Sequence, residues 1–190
     1  MILNIFGPSG SGKTTLIKEL LKSYKLRDFF VRITKKDFDE QLNENISISL
    51  MPLPLFRGDV KEFFYIFNIK VDILLNLNYE LRNLSDSIFE KIDTQKKLAI
   101  VSSRNIETFS AGEMRRLFLL KSLLVKSDLL IIDEPFSNSD KKIWNKIYSA
   151  IKTKSNAIVL SHQSLEKFSD ENEKNFYVNV NQISNEIFIK

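Results

Sequence analysis

The sequence predicts an α/β fold with a mostly parallel sheet and an inserted helical subdomain, and three observations predict it. An apolar run at residues 2–6 meets a glycine-rich turn and then a helix-spaced segment, the strand, loop and helix that open an α/β unit. A second apolar run, Leu129–Ile132, ends in the carboxylates Asp133 and Glu134, as a strand buried on both faces does when it delivers acids at its carboxyl end. Between the two, residues 60–97 change to helical spacing, nearly free of glycine, proline and strand signals.

In chain order, residues 2–6 form the first strand and Thr14 to Leu21 the first helix. Residues 29–33 and 46–50 are strand-like, separated by the polar stretch Lys35–Asn45. Met51-Pro52-Leu53-Pro54 is a surface loop, because two prolines break any ladder. The helical block places Phe63, Phe64, Phe67, Ile73, Leu74, Leu77, Leu81, Leu84, Ile88 and Ile92 on inward faces. Residues 113–125 and 142–152 are helices, 157–160 a strand and 164–168 the start of a short helix. Phe176–Val180 and Ile187–Ile189 are expected to pair as a terminal hairpin around residues 181–185. Residues 1–190 then make a single domain, with 1–56 and 126–190 as its α/β core and 57–125 as the helical subdomain.

With 190 residues, 43% hydrophobic and 27% charged, the chain has the make-up of a folded protein with a sizeable core. It lacks cysteine, which excludes disulfides and thiolate metal sites, and its one histidine leaves no ordinary zinc set. A formal charge of +4 with lysines scattered among acids argues against nucleic acid as a direct partner. No apolar segment approaches a membrane span, and the opening apolar run meets glycine before it makes a signal-peptide core. The expected location is the cytoplasm.

Gly7-Pro8-Ser9-Gly10-Ser11-Gly12-Lys13-Thr14 matches the complete phosphate-loop pattern, with a strand before it and a helix after it. Its glycines let successive N–H groups face the phosphates, and the helix N-terminus adds a positive field. Lys13 brings its charge to the β- and γ-phosphates, the Thr14 hydroxyl coordinates magnesium, and Thr15 completes the binding set. This makes the fold a P-loop NTPase core. At the acidic strand end, Asp133 holds magnesium through its water shell and Glu134 polarises the attacking water.

The ordered motifs resemble those of the ATP-binding cassette family, specifically the nucleotide-binding subunit of a transporter. Phe109-Ser110-Ala111-Gly112-Glu113 is similar to the family signature Leu-Ser-Gly-Gly-Gln, and Arg116 follows where the family keeps an arginine. Glu134-Pro135-Phe136-Ser137-Asn138-Ser139-Asp140 resembles the loop after the family's acidic strand. His162 follows Ile158-Val159-Leu160-Ser161 at the place of the switch histidine, and Leu55–Glu62 looks like the segment after the glutamine loop. The resemblance spans essentially the whole chain.

It implies ATP with Mg2+ as the ligand, and two cassettes packed head to tail as a homodimer or with a related subunit. Ser110 and Gly112 would then meet the γ-phosphate bound by the partner, with Ser137 and Asp140 at the seam. His162 would contact that phosphate, and Glu134 would act as the base. A separate membrane subunit would dock on the helical lobe, placing the chain peripherally on the cytoplasmic face of the membrane. An antiparallel lobe, reduced to the strands around 29–50, would flank the nucleotide.

Three departures shape the expectation. Met51 stands in place of the family's glutamine, Ala111 replaces a signature glycine, and Glu113 replaces its glutamine, so hydrolysis is expected to be slow. The family's adenine-stacking aromatic precedes the phosphate-loop strand, which here opens at Met1; Tyr24, Phe29 and Phe30 read as core. Two other functions fit the motifs less well: a regulatory or assembly protein of weak turnover, and a non-transport ATPase of DNA repair or translation.

Overall fold

A computed structural model describes residues 2–22, 45–50, 53–137, 139–162 and 173–177. The expected strand at 29–33, the loop residues Met51 and Pro52, the helix at 164–168, and Tyr24, Phe29 and Phe30 lie outside the described residues. Two compact units divide the chain: residues 1–51, 128–134 and 155–190 form one, residues 52–127 and 135–154 the other.

The first unit is built on a parallel sheet. Its strands are β1 (Ile2–Phe6), β2 (Ile46–Ser49), β3 (Leu129–Asp133), β4 (Ala157–Ser161) and β5 (Glu173–Tyr177), in the spatial order β2-β3-β4-β1-β5. Every residue of β3 and β4 is buried, which is why both read as unbroken apolar runs. All pairings are parallel: Phe6 stands beside Ser161 and Tyr177, and Asp133 beside Leu160. The carboxyl ends of β3, β4 and β1 therefore open side by side, where open α/β sheets bind their ligands.

Helix α1 (Lys13–Lys22) covers one face of this sheet through Leu16, Ile17 and Leu20, which pack with Leu3, Ile5, Leu129, Ile131, Ile158 and Leu160. Each such side chain contributes about 1.5–3 kcal/mol by leaving water. That cluster fixes the helix whose first turn follows the phosphate loop.

One expected pairing differs. Residues 46–50, assigned to an antiparallel lobe, form β2 and run parallel beside β3, with Ile46 aligned to Leu129. Its alternation is inverted: Ser47 and Ser49 are buried while Ile46 and Ile48 are exposed. The C-terminal strand comes earlier than expected, at Glu173–Tyr177, and pairs parallel with β1; the rest of the expected hairpin, residues 178–190, lies outside the described residues.

The second unit is helical. Residues 60–97 are divided into α2 (Val60–Ile66), a 3-10 turn (Val71–Leu75), α3 (Tyr79–Phe89) and the start of α4 (Gln95–Ser102). Breaks fall where the backbone turns left-handed at Asn68 and Glu90, and each new helix is N-capped, by Asp59, Asn78 and Thr94. At Asp59 the cap is reciprocal, since its carboxylate accepts from the Glu62 amide and the Glu62 carboxylate from the Asp59 amide. Gly58, at φ 132°, leaves room for that Glu62 side chain, which a Cβ would strike. Phe63 is fully buried and meets Phe56, Phe64, Phe67 and Phe118 edge-on at 5.0–5.5 Å. Phe118 belongs to α5 (Ala111–Leu124), which starts two residues before the expected boundary; α6 (Lys141–Ile151) completes the unit.

Candidate active site

The phosphate loop leaves β1 at Gly7, whose N–H donates to the Ser161 carbonyl at 3.2 Å. Gly10 and Gly12 hold φ of 77° and 88°, conformations that glycine adopts without penalty. A Cβ built on Gly10 would meet nothing within 4 Å, so the loop faces open space. Pro8, Ser9, Gly10 and Thr15 are exposed, while Gly7, Ser11 and Lys13 are buried. The Lys13 ammonium donates back to the carbonyls of Gly7 at 2.8 Å and Pro8 at 3.0 Å. The Ser11 hydroxyl is buried without a partner, a donor that an anion in the loop would satisfy.

Strand ends β3 and β4 bring the other groups. Thr14 Oγ1 donates to Asp133 Oδ2 at 2.7 Å, joining residues 119 positions apart. Glu134 lies at φ 51° with its N–H bonded to the Leu160 carbonyl at 2.8 Å. That left-handed turn ends the strand pairing and carries the carboxylate between Lys13 and His162: Oε1 lies 3.9 Å from Lys13 Nζ, and Oε2 lies 2.5 Å from His162 Nδ1. Lys13, Thr14, Asp133, Glu134 and His162 thus converge in the first unit. Sequence reasoning missed Asn4, buried in β1, whose Oδ1 accepts from the Ser161 hydroxyl at 2.9 Å.

These residues fit magnesium and a polyphosphate. Among the described residues no group of three or more His, Asp and Glu side chains forms a metal cluster. A hydroxyl and a carboxylate side by side suit magnesium, which keeps several waters and takes few protein oxygens besides phosphate. Thr14 and Asp133 would hold it, and the loop amides with Lys13 would hold the phosphates.

The signature belongs to the second unit. Ser110 N-caps α5, and Glu113 closes a reciprocal box: its carboxylate accepts from the Ser110 amide at 2.8 Å and hydroxyl at 2.7 Å. Its other oxygen accepts from Arg104 at 3.1 Å, and that guanidinium lies over the Phe109 ring. Burial raises the Glu113 carboxyl, but the Ser110 and Arg104 hydrogen bonds outweigh it and hold the group below its ordinary value. Gly112 follows in the first turn of α5. Burial lowers Arg116, against the neighbouring Glu113 and Asp140 charges; its guanidinium donates to the Ser87 carbonyl at 3.0 Å. Asp140 N-caps α6 through the Ile143 amide at 2.9 Å. Met51 lies outside the described residues.

The family model described as ABC transporter matches residues 1–137. The chain is 32% identical over 160 residues to the Fe(3+) ions import ATP-binding protein FbpC of Fusobacterium nucleatum subsp. nucleatum, covering 81% of this chain and 40% of that protein. It is 31% identical over 149 residues to the cytochrome c biogenesis ATP-binding export protein CcmA of Reclinomonas americana, covering 77% and 64%. With the zinc import ATP-binding protein ZnuC of Ehrlichia ruminantium it shares 31% over 152 residues, covering 79% and 55%. The chain thus spans from 40% to 64% of the length of these relatives. Among solved structures, the RNase-L inhibitor matches with a TM-score of 0.56 at 22% identity, over 85% of this chain and 28% of that one. A provisionally assigned transporter ATP-binding protein of Pyrococcus furiosus matches with a TM-score of 0.57 at 20% identity, over 93% and 84%. These structural matches establish the fold.

Proposed function

The chain belongs to the ABC transporter family, and from that premise we propose that it is the ATP-binding and ATP-hydrolysing subunit of a membrane transporter. The observation that carries the proposal is the convergence of Lys13, Thr14, Asp133, Glu134 and His162 at three adjacent strand ends. A metabolite-binding role would not call for a lysine, a hydroxyl, two carboxylates and an imidazole around one phosphate loop.

The substrate would supply the phosphoryl group and magnesium the charge that stabilises its transfer. On phosphate binding, Lys13 exchanges the carbonyls of Gly7 and Pro8 for β- and γ-phosphate oxygens. Glu134 accepts a proton from water as that oxygen bonds to the γ-phosphorus and the bond to the bridging oxygen breaks, releasing ADP and phosphate. His162 orients the water and the terminal phosphate. Ser110 and Gly112 complete the site of a second cassette, a copy of this chain or a related subunit. A membrane subunit docked on the helical lobe would turn closure into transport; among the described residues no helix is long and apolar enough to cross a membrane.

The carboxylate of Glu113 already occupies the Ser110 hydroxyl, which favours slow closure and gives weight to a regulatory role as the second reading. Molar mass of Glu134→Gln in solution, with and without Mg-ATP, tests the proposal. An ATP-dependent dimer is expected. A protein that binds no Mg-ATP overturns the ATPase reading, and an ATP-bound monomer transfers it to the regulatory role.

A further inference from the structure

A buried asparagine in a central strand calls for a reason. Asn4 is 2% exposed and stands between Val159 on β4 and Asn175 on β5. Asparagine is disfavoured in strands, and a buried amide left unpaired costs about 1–3 kcal/mol. Leu3 and Ile5 point into the core under α1, as do Ile158 and Leu160. The strand period of two therefore puts Asn4 and Ser161 together on the opposite face. There the Ser161 hydroxyl donates to Asn4 Oδ1 at 2.9 Å, buried at both ends.

Ser161 is held a second time. Its carbonyl accepts the Gly7 amide at 3.2 Å. One residue is thus tied by its side chain to the strand that enters the phosphate loop and by its backbone to the first residue of that loop. The next residue is His162, whose side chain is 48% exposed and gains Glu134 through Nδ1. Its backbone departs from an anchored neighbour.

Resting on the ATPase reading above, we infer that Asn4 and Ser161 are positioning residues: their hydrogen bond sets His162 against Glu134 from the phosphate-loop strand, so that the histidine and the loop share one frame. Neither residue touches substrate. An apolar side chain at position 4 would fill the same space, yet would remove the acceptor that ties the Ser161 hydroxyl to β1. The contribution is then to orientation, and catalysis is sensitive to displacements of about 1 Å.

The chain contains a single histidine, so imidazole nitrogen NMR reads His162 without ambiguity. In the unsubstituted protein at a pH where the ring is neutral, the proton is expected on Nδ1, facing the Glu134 carboxylate. Ser161→Ala and Asn4→Leu are each expected to turn this into the mixed tautomer pattern of a free imidazole. Both are expected to lower kcat about tenfold or more while KM for ATP stays within about twofold. Ser161→Thr, which keeps the hydroxyl, restores both readouts, and the double variant is no worse than either single one. If Ser161→Ala folds with an unchanged tautomer and unchanged kcat, or if the double variant loses the sum of the two, the inference is overturned. An unsubstituted protein without ATPase activity would sink the functional reading alone, and the tautomer measurement would still decide the positioning.

Discussion

His162 Nδ1 lies 2.5 Å from Glu134 Oε2, and the opposite oxygen of that carboxylate lies 3.9 Å from Lys13 Nζ. One acid therefore bridges the cation that would bind phosphate and the imidazole that would sense it. Loading the loop would draw Lys13 away toward phosphate and leave Glu134 to water and to His162. Glu134→Gln removes the proton acceptor while keeping size and hydrogen bonding. Turnover is expected to fall by about 100-fold or more, with ATP affinity little changed, as measured by steady-state phosphate release beside equilibrium nucleotide binding.

The Thr14 hydroxyl donates to Asp133 at 2.7 Å, and both oxygens would serve the same cation. Thr14→Val keeps the shape and removes the donor. The ratio of ATP affinities with and without magnesium is expected to shrink by about tenfold or more, the size of a hydrogen bond to a charged group. Titration of a fluorescent ATP analogue in magnesium and in EDTA checks this; an unchanged ratio would remove Thr14 from the magnesium site.

Glu113 titrates below its ordinary value of 4.5. A depressed carboxyl contributes stability that is present above the unfolded value and lost as pH falls through the folded one. Melting temperatures of the unsubstituted protein and Glu113→Gln are therefore expected to differ by a constant amount near neutrality and to converge as pH falls below about 4.5. Parallel curves throughout the acid range would show that the box with Ser110 and Arg104 carries no linkage.

Glu90 ends α3 at φ 65° and ψ 180°, a region that is nearly the preserve of glycine and costs about 1–3 kcal/mol for other residues. Glu90→Gly gives back about 0.5–1 kcal/mol in chain entropy and is still expected to stabilise the protein by about 1 kcal/mol. Urea unfolding with an unchanged slope and a higher midpoint is the signature to look for.

Local chemistry was legible in the sequence, and distant pairing was not. The phosphate loop is eight consecutive residues whose spacing itself defines the cradle, and Leu129–Glu134 encodes both burial and the acids that follow it. Strand partners carry no such local mark. The Ile-Ser alternation of β2 is compatible with either direction of pairing, and its buried serines reverse the usual assignment of faces. The helical block looked continuous because apolar periodicity survives a break; Asn68 and Glu90 turn the chain without glycine, so no residue type announced it. Asn4 and Ser161, 157 positions apart, each look unremarkable until the sheet lays them side by side.

The position of β1 between β4 and β5 also sets an order of events in synthesis. Ile2 aligns with Ala157 on one side and Glu173 on the other. The strand that feeds the phosphate loop leaves the ribosome before either of its neighbours, and closing such long-range contacts is the slow part of folding. While translation continues, the nascent segment bearing Lys13 has no sheet to rest on. A nucleotide would therefore have no complete cradle until β4 has emerged, and a message truncated ahead of β4 is expected to yield a product unable to retain it.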